Sequence, residues 1–165
     1  KGLVFDVRED GGGLVAALEK IVDPLLPAGD IATATYQDGT TKVLVHSDAN
    51  ELNLPMMVLV NGNTASAAEL FTASLKDFGK AEVIGEQTFG KGIMQNTFEL
   101  PDGGAVTLTV ATYQTTKGEC YHGVGITPDV IMEEDYEKVD FDHPNPEQDA
   151  QLKQAMELLQ SKISS

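Results

Sequence analysis

Two residues stand where their chemistry could be used. The first is Ser66, in the run Asn61-Gly-Asn-Thr-Ala-Ser66-Ala67-Ala-Glu69, which joins an apolar stretch to an amphipathic one. A serine at a strand-to-helix junction sits beside unpaired backbone N–H groups and the positive end of the helix dipole, a setting that favours an oxyanion. Its hydroxyl could attack a carbonyl while the amide of Ala67 holds the developing charge. The same residues also read as a capping box, with Ser66 capping the helix and Glu69 reaching back. On this segment alone, capping is the stronger reading.

The second is Lys91, in Gly85-Glu86-Gln-Thr88-Phe89-Gly90-Lys91-Gly92. The run approaches a phosphate-binding loop, but that motif needs Ser or Thr after the lysine and then a helix. Here Gly92 follows and Ile93 to Leu100 alternates as a strand, so nucleotide binding is set aside. A lysine accepts a proton from serine only as the neutral amine, and a free lysine titrates near ~10.4. Removal from water is what lowers that value. Phe89, Ile93 and Met94, with no acid between Glu86 and Glu99, are the neighbours expected to supply it. The competing reading is an ordinary surface lysine in a glycine turn.

Other nucleophile and base combinations have less behind them. His46 lies on an early alternating strand and His143 in an acidic, proline-containing stretch. Cys120 and His122 would share one face of a strand, as a cysteine nucleophile or a two-ligand metal site, yet no third partner can be nominated. A lone cysteine also excludes an internal disulfide.

The elements that must position Ser66 and Lys91 follow from hydrophobic spacing. Residues 2–8 form a short strand, Gly11 to Gly13 a turn, and Leu14, Ala17, Leu18, Ile21, Val22 and Leu25 a helix ended by Pro27 and Gly29. Strands 31–36 and 42–46 flank a turn at Asp38-Gly39. Met56 to Val60 is an uninterrupted apolar run, as in strands covered on both faces. A helix over 66–78 is closed by Gly79, and Ala81 to Gly85 is a further buried strand. Residues 93–100 and 104–114 make a long hairpin around Pro101-Asp-Gly-Gly104. A short strand follows Pro128, and 148–163 has helical spacing. Strand–helix units followed by a hairpin predict an α/β fold with a mixed sheet flanked by helices.

With 165 residues and 41% hydrophobic composition, the chain suits one globular domain. A formal charge of -15 argues against nucleic acid as a partner. Eight acids between Glu133 and Asp149 face only Lys138, and they read as a solvated linker without the ligand spacing of a calcium loop.

Taken together, the order and spacing of these segments resemble the carboxy-terminal processing, or tail-specific, serine proteases. The resemblance is carried by Asp6-Val-Arg8 with Gly12-Gly-Leu14, Ala65-Ser66-Ala67-Ala-Glu69, Asp77-Phe-Gly79, Gly85-Glu86 with Thr88-Phe-Gly-Lys91-Gly92, Gln95, Leu100-Pro-Asp-Gly103 and His122-Gly-Val-Gly-Ile-Thr-Pro-Asp129. It implies a mixed-sheet core of the ClpP/crotonase-like type. It also implies a Ser/Lys dyad with Ser66 as nucleophile, Lys91 as base and Gln95 orienting the lysine, and an oxyanion hole of the Gly12 and Ala67 amides. No metal or cofactor is implied. At Glu9-Asp10-Gly11 the chain departs from the Asn-Pro element usual before the two glycines, which bears on the shape of the first oxyanion turn.

The resemblance further implies a division into a catalytic core over 1–132, lacking the PDZ domain and upstream segments that normally precede it, an acidic linker over 133–147, and a helix over 148–165 packing on the core. A chain so truncated is expected to be inactive by itself. The substrate would be a protein or peptide bound in extended form, and an exposed sheet edge would let a second copy of the chain pair. Family habit places such proteases outside the cytoplasm, in the cell envelope or secreted. The rival reading from another class is a non-catalytic peptide-binding or assembly module on the same fold. A third, an acyl-thioester enzyme of crotonase type, has no need of the Ser/Lys pair.

Overall fold

The computed structural model describes residues 1–48 and 50–164; Ser165, the last residue of the expected 148–165 helix segment, lies outside them. In chain order the elements are β1 (Leu3–Asp6), α1 (Val15–Val22) running into a 3-10 turn (Asp23–Leu25), β2 (Gly29–Tyr36), β3 (Thr41–Ser47), β4 (Met56–Val60), α2 (Ala67–Asp77), β5 (Ala81–Gly85), β6 (Ile93–Glu99), β7 (Ala105–Thr115), β8 (Val130–Ile131) and α3 (Ala150–Ser164). The α/β class and the long hairpin are as expected. The strands divide between two sheets, one all parallel in the order β1-β4-β5-β8 and one antiparallel in the order β3-β2-β7-β6.

The alternation along β4 shows why its five residues must all be apolar. Met56, Val58 and Val60 face the main core with Leu70, Phe71 and Leu75 of α2. Met57 and Leu59 face the other way, into a smaller core with Ile84, Ala155 and Leu159 that α3 covers. Period-2 side chains thus serve two hydrophobic layers at once.

Helix α2 is the central buried helix, with every residue from Ala67 to Leu75 buried. Its two buried hydroxyls are satisfied within it, those of Thr72 and Ser74 donating to the Ala68 and Leu70 carbonyls. Past Phe78 the chain reverses through Gly79 (φ 69°), whose N–H donates to the Lys76 carbonyl while that of Lys80 donates to Leu75. This is the glycine-terminated helix end expected from the sequence.

Asp149, counted in the acidic run, is not solvated. It is buried and pairs with Arg8, whose side chain is 1% exposed, through two hydrogen bonds of 2.6 and 3.1 Å. Arg8 also holds Asp6, and its guanidinium lies over the Phe141 ring. The network ties the start of α3 to the end of β1. No helix among the described residues is long and apolar enough to cross a membrane.

Candidate active site

Parallel strands β1, β4 and β5 are neighbours, and the loops at their carboxyl ends carry Gly12, Ser66 and Lys91 respectively. Such ends are where α/β sheets gather their functional groups. The Asp10 carbonyl accepts from Ala65 N–H at 2.9 Å, and Thr64 Oγ1 donates to the Val7 carbonyl at 2.8 Å. The first two loops are therefore laced together.

Ser66 forms the expected capping box with Glu69, its N–H donating to Glu69 Oε2 at 2.9 Å. A cap residue ordinarily takes extended dihedrals. Ser66 instead has φ 59° and ψ -121°, a conformation that costs a non-glycine residue about 1–3 kcal/mol and gathers at functional sites. Its hydroxyl is turned to Tyr113 Oη at 3.1 Å.

Glu69 explains how the strain is held. Its carboxylate is fully buried and accepts four hydrogen bonds, from Ser66 N–H and Lys91 N–H on one oxygen and from Thr88 Oγ1 and Gly90 N–H on the other, at 2.6–2.9 Å. One side chain thus fixes the Ser66 turn to the Lys91 loop. It also occupies the Gly90 and Lys91 amides, so this loop has no free N–H cradle for phosphate there.

Gly12 closes against Ser66. Its φ is 93°, and a β-carbon there would lie 2.7 Å from Ala65 O and Ala67 N and 2.8 Å from Ser66 Cβ. Only glycine fits, and the two amides proposed for the oxyanion hole belong to segments in direct contact. In this state Gly12 N–H donates to Asp10 Oδ1 at 2.8 Å. The unusual Glu9-Asp10 pair has found local partners: Glu9, at φ 60°, has its carboxylate held by the side-chain amides of Asn61 and Asn63 at 2.6–3.1 Å. Beside Gly12 and Ala67 opens a cavity of about 310 Å³, its apolar wall including Phe5, Leu14, Leu18, Ile21 and Phe71.

Not every expected residue converges. Lys91 is half-buried, but Phe89 is 65% exposed and shields nothing, because its side chain faces solvent; Ile93 and Met94 are half-buried. Gln95 is exposed on β6 just past a bulge opposite β7, and its side chain makes no hydrogen bond to a described residue. The expected link from Gln95 to Lys91 is therefore not formed in this state. None of the histidines hydrogen-bonds Ser66: His46 pairs with Asp30, His143 with Asp140, and His122 Nδ1 lies 3.2 Å from Gly90 O, supporting the lysine loop.

Sequence reasoning missed Tyr113. It is one inward position of an alternating strand, and nothing local distinguishes it from core. Its hydroxyl donates to the Lys91 carbonyl at 2.8 Å, and burial is the main reason its pKa is raised, so it stays a neutral phenol.

The model of peptidase family S41 matches residues 1–132. A carboxyl-terminal-processing protease of Synechocystis sp. is 35% identical over 96% of this chain and 36% of its own length. The carboxy-terminal processing protease CtpA of Bacillus subtilis is 38% identical over 86% of this chain and 31% of its own. Among solved structures, the photosystem II D1 C-terminal processing protease superposes with a TM-score of 0.74 at 39% identity, over 80% of this chain and 34% of that one. The chain spans about a third of the length of these relatives. With the family model covering most of its residues and its strained serine set at a carboxyl end of the parallel sheet, the chain belongs to peptidase family S41.

Proposed function

We propose that this chain is the catalytic core of a serine endopeptidase of the C-terminal processing type. Ser66 is the nucleophile, Lys91 the general base, and the Gly12 and Ala67 amides the oxyanion hole. The observation that carries the reading is the strained Ser66 backbone, locked by Glu69 onto the Lys91 loop and packed against Gly12. A cap needs none of this.

In the reaction, Ser66 Oγ attacks the scissile carbonyl and its proton passes to the Lys91 amine. The carbonyl oxygen becomes the oxyanion held by the two amides, and Gly12 N–H exchanges Asp10 for it. The oxyanion then collapses, the C–N bond breaks and the leaving amine takes the proton from the Lys91 ammonium; the ester left on Ser66 is hydrolysed by water that the neutral Lys91 amine activates, and the proton returns to Ser66 Oγ. The apolar cavity beside Gly12 and Ala67 suits an apolar side chain next to the cut bond. An extended protein or peptide segment has a sheet edge to pair with in β6, one of the two outer strands of the antiparallel sheet, and a second copy of the chain could pair along the same edge. The extracytoplasmic location follows the family reading, and one relative is named as chloroplastic.

The test is cleavage of an unstructured protein substrate by the full-length protein and by its Ser66→Ala and Lys91→Ala variants. Loss of turnover in both supports the dyad; undiminished cleavage by either refutes it. A protein that binds C-terminal peptides and never cleaves them would establish the assembly-module reading instead.

A further inference from the structure

Tyr113 Oη has one proton, and it is committed to the Lys91 carbonyl. At 3.1 Å from Ser66 Oγ it is therefore the acceptor, and the serine donates to it. In this state the nucleophile's proton is aimed at a phenol and not at the lysine amine. Attack requires the hydroxyl to turn away from Tyr113.

Behind Tyr113 lies a second tyrosine. Tyr121 is 6% exposed, its ring packs edge-on against that of Tyr113 at 6.0 Å, and its hydroxyl is buried without a hydrogen bond to any described residue. A buried, unpaired hydroxyl is destabilising by the cost of stripping it of water. The two hydroxyls are close enough to perturb each other's ionisation, and burial keeps both protonated. Tyr121 therefore has a proton to give and no acceptor, while its neighbour's acceptor site is taken by Ser66.

We propose that Tyr113 is a further catalytic residue and Tyr121 its positioning partner, forming a two-position hydroxyl switch that sets where the Ser66 proton points. At rest, Ser66 donates to Tyr113 and Tyr121 is left unpaired. When Ser66 turns its proton to Lys91, Tyr121 donates to the vacated Tyr113 oxygen, and the hydrogen bond it gains offsets the one Ser66 gave up. No bond is made or broken beyond these hydrogen bonds. The proposal rests on the Ser66/Lys91 reading and deepens it.

The test compares kcat, KM and urea midpoints of the full-length protein with those of Tyr121→Phe, Tyr113→Phe and the double variant, with Ser66→Ala alongside. Tyr121→Phe removes an unpaired hydroxyl, so its stability is equal to or above wild type, yet its kcat falls by about fivefold with KM unchanged, the ratio given by one net hydrogen bond. A residue that only packs would not slow turnover while leaving stability intact. In the Tyr113→Phe background, where the acceptor is gone, Tyr121→Phe has no further effect on kcat. Wild-type kcat in Tyr121→Phe, or effects of the two substitutions that simply multiply, would overturn the switch. If Ser66→Ala still cleaves, the dyad itself falls; if it is inactive and Tyr121→Phe cleaves at the wild-type rate, only the switch does.

Discussion

Glu69→Gln is the substitution from which most can be learned. The carboxylate has two donors on each oxygen, all buried or half-buried: Ser66 N–H and Lys91 N–H on Oε2, Thr88 Oγ1 and Gly90 N–H on Oε1. A glutamine must aim its NH₂ at one pair. Facing Ser66 and Lys91, it would confront two backbone donors that cannot reverse. Facing Thr88 and Gly90, it meets a hydroxyl that can rotate to accept and one N–H that cannot. The second orientation is the cheaper, and its cost is one buried N–H left unpaired, a Thr88 hydroxyl proton that loses its acceptor while the oxygen keeps accepting from Ile126 N–H, and the loss of charge assistance in the bonds that remain. At roughly 1–3 kcal/mol for the unpaired group and a further ~1 kcal/mol for the charge, the variant should be about 2–4 kcal/mol less stable. That is a large part of the ~5–15 kcal/mol by which a domain is stable. Urea unfolding of both proteins gives the difference directly. A loss under about 0.5 kcal/mol would refute the view that this carboxylate binds the Ser66 turn to the Lys91 loop.

Gly12→Ala places a methyl group 2.7 Å from backbone atoms at φ 93°; kcat should fall by roughly two orders of magnitude or more, as when an oxyanion donor is lost, and near wild-type turnover would remove Gly12 from the site. Asp10→Asn exchanges a charged acceptor on Gly12 N–H for a neutral one that releases it more readily, so kcat should rise by about two- to fivefold; a fall would show that Asp10 shapes the turn and does not restrain it. Arg8→Met strands the buried Asp149 carboxylate and should cost about 3–5 kcal/mol by urea unfolding. Burial alone would raise the Asp149 pKa, but the Arg8 hydrogen bonds and charge and the Leu152 N–H outweigh it and hold the pKa below the usual carboxylate value. Because the folded value is the lower one, this stabilisation is full above about pH 5 and is lost as pH falls through the folded pKa. Stability measured from neutral to acid pH should drop less steeply in Asp149→Asn than in wild type.

What could be read from the sequence was what repeats or stands adjacent along the chain. The five-residue run Met56–Val60 announces a doubly covered strand because both faces need apolar atoms. Gly79 marks a helix end because the next turn needs a positive φ. The order of the candidate site, glycine then serine then lysine, was legible because each follows its own strand, and the three strands lie side by side in the sheet. What escaped was everything set by partners distant in sequence. Asp149 looks like one more acid in an acidic run until Arg8, 141 positions away, meets it. Glu69 is half of a capping box at sequence range and a four-donor hub only when the Lys91 loop folds over it. Tyr113 sits at an inward position of β7 like Ala111 and Thr115, and its hydroxyl's partners are distant in sequence. Gln95, expected to orient Lys91, follows a bulge between Met94 and Gln95 that shifts the register, and here it faces solvent.

The central claim is that Ser66 makes a covalent bond to the substrate with Lys91 drawing off its proton. The most direct measurement offers the full-length protein an activated peptide ester, quenches it in acid within the first turnover, and locates the added acyl mass by peptide mapping. The account predicts the acyl group on the peptide bearing Ser66, and no acylation over the same interval in Lys91→Ala. Acylation of any other residue, or acylation of Ser66 at an undiminished rate without Lys91, would contradict it.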